Sequence, residues 1–174
     1  MPISRPQFLG SAAFAVLGST VLGALVKEAA AATPADVELL NGAIALENAG
    51  IKAYTDAFSL KLLSPPILAV AQGFKADHQA HAAALAAAVK SAGGTPTTAT
   101  AKLEYPPLKS EADILAFAEK VERIAATSYL GDIGKLSNPA LSRLMASILG
   151  VETTHVATLA AALKQDRAYP GFVS

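Results

Sequence analysis

The chain repeats itself, and the repeat limits what it can fold into more than any other feature. The segments LENAGIKAY (46–54) and VERIAATSY (121–129) each place a glutamate seven residues before a tyrosine, so that Glu47 and Glu122, like Tyr54 and Tyr129, lie 75 positions apart. A second pair, HAAALAAAV and HVATLAAAL, opens on His81 and His155, which lie 74 apart, as do His78 and Glu152. One helical hairpin is therefore written twice. The duplicated positions carry metal-ligating residue types, so the repeat bears on function as well as on fold.

Helix boundaries follow from local punctuation. Thr33 as N-cap and Pro34 as first helical residue start a helix whose apolar positions, Val37, Leu40, Ile44, Ile51, Phe58 and Leu62, recur at spacings of three and four. Ser64-Pro65-Pro66 breaks the chain. A second helix carries Ile67, Val70, Phe74, Leu85 and Val89 until Gly93-Gly94 stops it. Residues 95–109 are rich in Thr and Pro without a sustained period, which marks a long crossover. Ser110 and Asp113 are placed to cap a third helix (Leu115, Ala118, Ala125, Ile133, Leu136), and Asn138-Pro139 to start a fourth (Leu141, Met145, Ile148, Leu159, Leu163). Two short joints and one long connection predict an all-α four-helix bundle in which the second and third helices run the same way.

Composition narrows the function. At 174 residues and 52% hydrophobic the chain suits a single core, and the 14 basic residues are balanced by 14 acidic ones, which leaves no electrostatic footprint for nucleic acid. There is no cysteine, so any metal is held by nitrogen and oxygen. Gly-rich phosphate loops, a Gly-x-Ser-x-Gly elbow and a His-Glu-x-x-His motif are absent from the sequence.

The first 32 residues differ from the rest. Arg5 precedes an uncharged stretch from Phe8 to Val26, and Ala29–Ala32 offers A-x-A cleavage choices before Thr33. This reads as an export signal. Ser4-Arg5-Pro6-Gln7-Phe8-Leu9 resembles a twin-arginine signal with Pro6 at the second arginine position, and a retained anchor is the alternative. The expected organisation is a signal over 1–32, a bundle over 33–166 and an irregular tail over 167–174, with the processed protein in the periplasm and free of the membrane. Alanine-rich helix surfaces are compatible with a homodimer.

Six ionisable side chains interrupt the apolar stripes: Glu47, His78, His81, Glu122, Glu152 and His155. A lone buried histidine or glutamate is more often a hydrogen-bonded core residue than a ligand. Three carboxylates converging in one core, however, need compensating positive charge, which divalent cations supply. Residues three apart share a helix face, so His78 with His81, and Glu152 with His155, can reach a common centre. Tyr54 and Tyr129 are expected to pack first, with hydrogen bonding to a carboxylate or phenol redox chemistry as alternatives.

With these residues in place the chain resembles the ferritin-like superfamily of di-iron carboxylate proteins, in particular exported bacterial ferritin-like proteins related to desiccation-associated ones. That pattern has one glutamate on each of two helices and Glu-x-x-His on each of the other two. Glu47 and Glu122 match the single glutamates and Glu152-Thr153-Thr154-His155 one pair, whereas His78-Gln79-Ala80-His81 has histidine where the other pair has glutamate. The resemblance implies two iron ions, with manganese or zinc as alternatives, and a small oxidant as partner. It further implies oxidase or peroxide-scavenging activity in stress protection. A neutral imidazole cannot bridge two ions as a carboxylate does, so His78 implies a weak second position or a single ion. The competing expectation is a non-enzymatic scaffold with a vestigial or structural metal site. Asp77, about 100° around the helix from His78, is expected to orient a histidine.

Overall fold

Three of the four described helices begin at a side chain that accepts from their free N–H groups. The computed structural model describes residues 31–165, so the expected export segment and the tail lie almost wholly outside the described residues. Within them the elements are α1 (Pro34–Ser59), α2 (Pro65–Ser91), α3 (Glu111–Ile133) and α4 (Pro139–Ala162), with no strand. At 23 to 27 residues each is about 35 to 40 Å long.

Thr33 and Asp36 form a reciprocal capping box at the start of α1. Asp36 also accepts bonds from the backbone N–H (2.7 Å) and hydroxyl (2.6 Å) of Ser137, which ties this end of α1 to the α3–α4 turn. Ser110 and Asn138 cap α3 and α4 through their side chains. Ser64 makes no side-chain cap to α2; its own N–H donates to Glu111 at the start of α3 instead. Past the end of α2, Gly93 takes φ +75° and Gly94 N–H reaches back to the Val89 carbonyl, closing the helix.

Four apolar positions differ from the sequence reading: Leu136 and Leu163 fall just past the ends of α3 and α4, and two others turn to solvent. Lys61 adopts φ 56° just after α1, so Leu62 falls outside the helix and is 39% exposed. Val70 points away from the core and is 41% exposed. A helix with this much Ala and Leu has more apolar residues than its buried face can take, so periodicity alone does not fix which turn away.

Two of the three apolar clusters among the described residues stand on either side of a polar layer, and the third, Ala53, Phe117 and Val121, packs under Leu103 and Leu108 of the crossover. One gathers Leu40 and Ile44 of α1, Leu85 and Val89 of α2, Tyr129 of α3 and Leu141, Leu144, Met145 and Ile148 of α4. The other gathers Tyr54, Ala71, Leu115, Ala118 and Leu159. Along α1 and α4 the chain runs from the first cluster to the second; along α2 and α3 it runs from the second to the first. The second and third helices are therefore parallel, as the long connection requires. Burial of each large aliphatic side chain here contributes about 1.5–3 kcal/mol. α1 packs mainly on α2, and α3 on α4. By length and composition α4 alone among the described helices could cross a membrane, but it lies in the bundle and contributes a full buried face to the core.

The crossover is strapped along α1. Asn41 donates to the Thr95 carbonyl and accepts from Thr97 N–H, Asn48 donates to the Ala99 carbonyl, and Ala101 N–H donates to Ala45. Tyr105 then rests on Phe117 of α3 at 4.7 Å between ring centroids. The chain is carried along one face of the bundle to deliver α3 beside α1.

Candidate metal centre

The polar layer holds all six side chains singled out by the repeat. Glu47 comes from α1, His78 and His81 from α2, Glu122 from α3, and Glu152 and His155 from α4; all are at most 9% exposed. Their ligand atoms form two overlapping groups, Glu47–His78–His81–Glu152 and His78–Glu122–Glu152–His155, with the atoms of each within 4.8 Å of one another. His78 and Glu152 belong to both.

Glu152 spans the halves as a carboxylate can. Its Oε1 stands 2.9 Å from His81 Nδ1 and its Oε2 3.5 Å from His155 Nδ1. Neither oxygen, nor His81 Nδ1, has an aligned hydrogen bond, so the 2.9 Å approach is an ionic contact. His78 spans the halves differently: Nδ1 lies 2.6 Å from Glu47 Oε2, and Nε2 lies 3.4 Å from Glu122 Oε1.

The tyrosines do more than pack. Tyr54 of α1 donates to Glu122 of α3, and Tyr129 of α3 donates to Glu47 of α1. Each repeat thus holds the glutamate of the other. The shared Glu-to-Tyr spacing signalled a relation between these residues, but placed each tyrosine nearest its own glutamate; only the crossing of α1 over α3 shows the exchange. Asp77, half-exposed at 50%, lies 3.1 Å from His155 Nε2, which leaves Nδ1 facing Glu122 and Glu152. Phe74 stacks on the same ring at 3.9 Å, a contact the sequence offered only as part of an apolar stripe.

The electrostatics follow from burial and pairing. Desolvation alone would lower the three imidazoles, but the glutamates around them reverse this, raising His78 to about 11, His155 to about 10 and His81 to about 9. Burial works to raise Glu47 and Glu122, yet their histidine partners hold both below the ordinary carboxylate value. For Glu152 burial prevails and its pKa is raised. Burial and the neighbouring carboxylates push both tyrosines well above 10, so they remain protonated donors.

A family model of the ferritin-like domain matches residues 35–165, three quarters of the chain. The chain belongs to the ferritin-like family. Among solved structures, this ferritin-like chain is similar to a ferritin-like, diiron-carboxylate protein from Bacillus anthracis strain Ames. The two are 25% identical with a TM-score of 0.60, over 74% of this chain and 94% of that one. It shares its fold with a conserved hypothetical protein from Mycobacterium tuberculosis, at 20% identity and TM-score 0.66, over 74% of this chain and 97% of the other. The comparison with curated proteins returned no match.

The residues present fit a metal. Three buried polar atoms, both Glu152 oxygens and His81 Nδ1, make no aligned hydrogen bond and converge in one layer of nitrogen and oxygen donors, the chemistry that suits a divalent ion. Within this ferritin-like centre Glu47, His81 and Glu152 would hold one ion and Glu122, His155 and Glu152 the other. His78 stands between them in the place of a second shared carboxylate.

Proposed function

We propose that this is an exported metal-dependent oxidase or peroxide scavenger whose centre holds iron or manganese. The observation that carries the proposal is the Glu152 carboxylate, buried with both oxygens free of hydrogen bonds and facing a histidine on either side. A pair of redox metals would supply electrons to a small oxidant there: the reduction of one peroxide with two protons to two waters would leave two ferrous ions ferric, with ferrous iron as substrate or an external donor renewing the electrons. The chain's own part is to position and to exclude. Tyr54 and Tyr129 hold Glu122 and Glu47 in place, Asp77 fixes the His155 ring, and the two apolar clusters on either side keep bulk water out. The diiron-carboxylate description of the B. anthracis protein supports iron. The apolar stretch and alanine-rich end of the first 32 residues support export to the periplasm, where stress protection against peroxide is a fitting role.

One observation favours a second reading, a non-enzymatic scaffold. Three glutamates face three histidines whose raised pKa values make them cations at neutral pH, so the layer balances its own charge. Elemental analysis of the purified chain, paired with an assay of peroxide consumption, separates the two. About two equivalents of iron or manganese with turnover support the oxidase. A metal-free chain, or zinc without turnover, supports the scaffold.

A further inference from the structure

Gly50 is buried in the interior of α1, one turn beyond Glu47, where glycine weakens a helix. A Cβ at that position would stand 2.8 Å from His78 Nε2 and 2.9 Å from Cε1, closer than side chains approach. At Gly42, Gly73, Gly131 and Gly150, the other helical glycines described, a Cβ would meet nothing within 4 Å. The notch is therefore specific to the imidazole. The repeat supports this: the counterpart of Gly50, 75 positions on, is Ala125, and the counterpart of His78 is Glu152. Glycine accompanies the ring, and alanine accompanies the carboxylate.

The ring so admitted cannot serve both halves equally. Glu152 offers one oxygen to each side. A neutral imidazole has one lone pair, and its other nitrogen carries a proton. His78 Nδ1 lies 2.6 Å from Glu47 Oε2 and 3.8 Å from Glu152 Oε1, whereas Nε2 lies 3.4 Å from Glu122 Oε1; a ring that turns its proton to Nε2, towards Glu122, frees its Nδ1 lone pair for an ion on the Glu47 side. We infer that Gly50 admits the His78 ring to the centre and so makes the two ion positions unequal. The Glu47–His81–Glu152 position gains a fourth ligand and fills first, and the Glu122–His155–Glu152 position keeps three. The inference rests on the metal-centre reading above and specifies the order of loading.

Cobalt(II) titration of the metal-free full-length chain, followed by visible ligand-field absorption and calorimetry, tests it. Two steps are expected, the first tighter by about tenfold or more, and Gly50→Ala is expected to weaken that first step by about tenfold. His81→Ala removes the first step; His155→Ala leaves it. In a His78→Glu background, where no ring fills the notch, Gly50→Ala shifts either step by less than about threefold. Equal effects of Gly50→Ala in both backgrounds, no effect in either, or a single merged step in the parent chain would overturn the inference. Thermal melting covers loss of fold. If Gly50→Ala unfolds while the double variant stays folded, the clash lies with the ring, as inferred; if both unfold, the inference fails. A parent chain that binds no cobalt defeats the metal-centre reading itself, whereas a parent that binds with Gly50 indifferent defeats only the assignment of Gly50.

Discussion

Glu152 and His78 hold corresponding places in the two repeats, and exchanging a carboxylate for an imidazole at one of them changes what that place can bind. His78→Glu restores the second shared carboxylate, so metal analysis of this variant is expected to find the second position more fully occupied than in the parent; unchanged stoichiometry and affinity would count against the ligand assignment. The tyrosines give a second prediction. Tyr54→Phe leaves Glu122 buried without its hydroxyl donor, and Tyr129→Phe does the same to Glu47. Each removes about 1–3 kcal/mol from the metal-free chain, and a fall in thermal midpoint of several degrees is expected. A midpoint unmoved in both variants means that the hydroxyls only fill space. The clustering of the six side chains was legible in the sequence because the same residue types recur at one offset on helix-compatible spacings. The tyrosine contacts were not, because Tyr54 and Glu122 are 68 positions apart and meet only through the crossing of two helices.

Among the elements, the crossover has the most to do with how the site is assembled. It has no period and no secondary structure, yet four hydrogen bonds from Asn41, Asn48 and Ala45 hold it against α1 and so fix where α3 begins. Its length predicted the parallel course of α2 and α3. Its path was hidden, since Asn41 and Asn48 look like ordinary polar-face residues until the strand of chain above them is placed. Asn41→Ala with Asn48→Ala removes three of those bonds, at about 0.5–1.5 kcal/mol each where they are exposed. Hydrogen exchange at the Ala101 amide, which the Ala45 carbonyl protects, is expected to quicken while amides in the middle of α4 keep their protection. Exchange at Ala101 as slow as in the parent would mean that the Tyr105–Phe117 contact suffices to hold the strap. The starts of α1, α3 and α4, at Thr33-Pro34, Ser110 and Asn138-Pro139, were plain in the sequence, whereas Ser64-Pro65-Pro66 read as a break and its two prolines prove to open α2. The end of α1 was not, because a lysine at φ 56° has no distinctive signature.

For the molecule as a whole, the polar layer ties stability to pH, and metal to both. The histidine pKa values are raised above 6.5, so the stability the three rings contribute is complete below 6.5 and is lost as pH climbs through about 9, 10 and 11. Glu47 and Glu122 are depressed below 4.5, so their contribution is complete above 4.5 and drains away as pH falls through their folded values. Glu152 is raised and partly offsets that acid loss. The metal-free chain is therefore expected to melt highest in the mildly acidic to neutral range, with the midpoint falling on the alkaline side as the rings deprotonate. Bound metal is expected to reverse the alkaline trend. Ligating imidazoles must first give up their protons, so binding releases protons and strengthens as pH rises. At a concentration near 100 times Kd a bound ion adds about 2.7 kcal/mol. Melting curves with and without manganese(II) between mildly acidic and alkaline pH should consequently diverge as pH rises, with calorimetry in buffers of different ionisation enthalpy registering the released protons. Curves that stay parallel, with no proton release, would mean that the three histidines do not ligate the ion, and that the glutamate and histidine layer holds the bundle together without it.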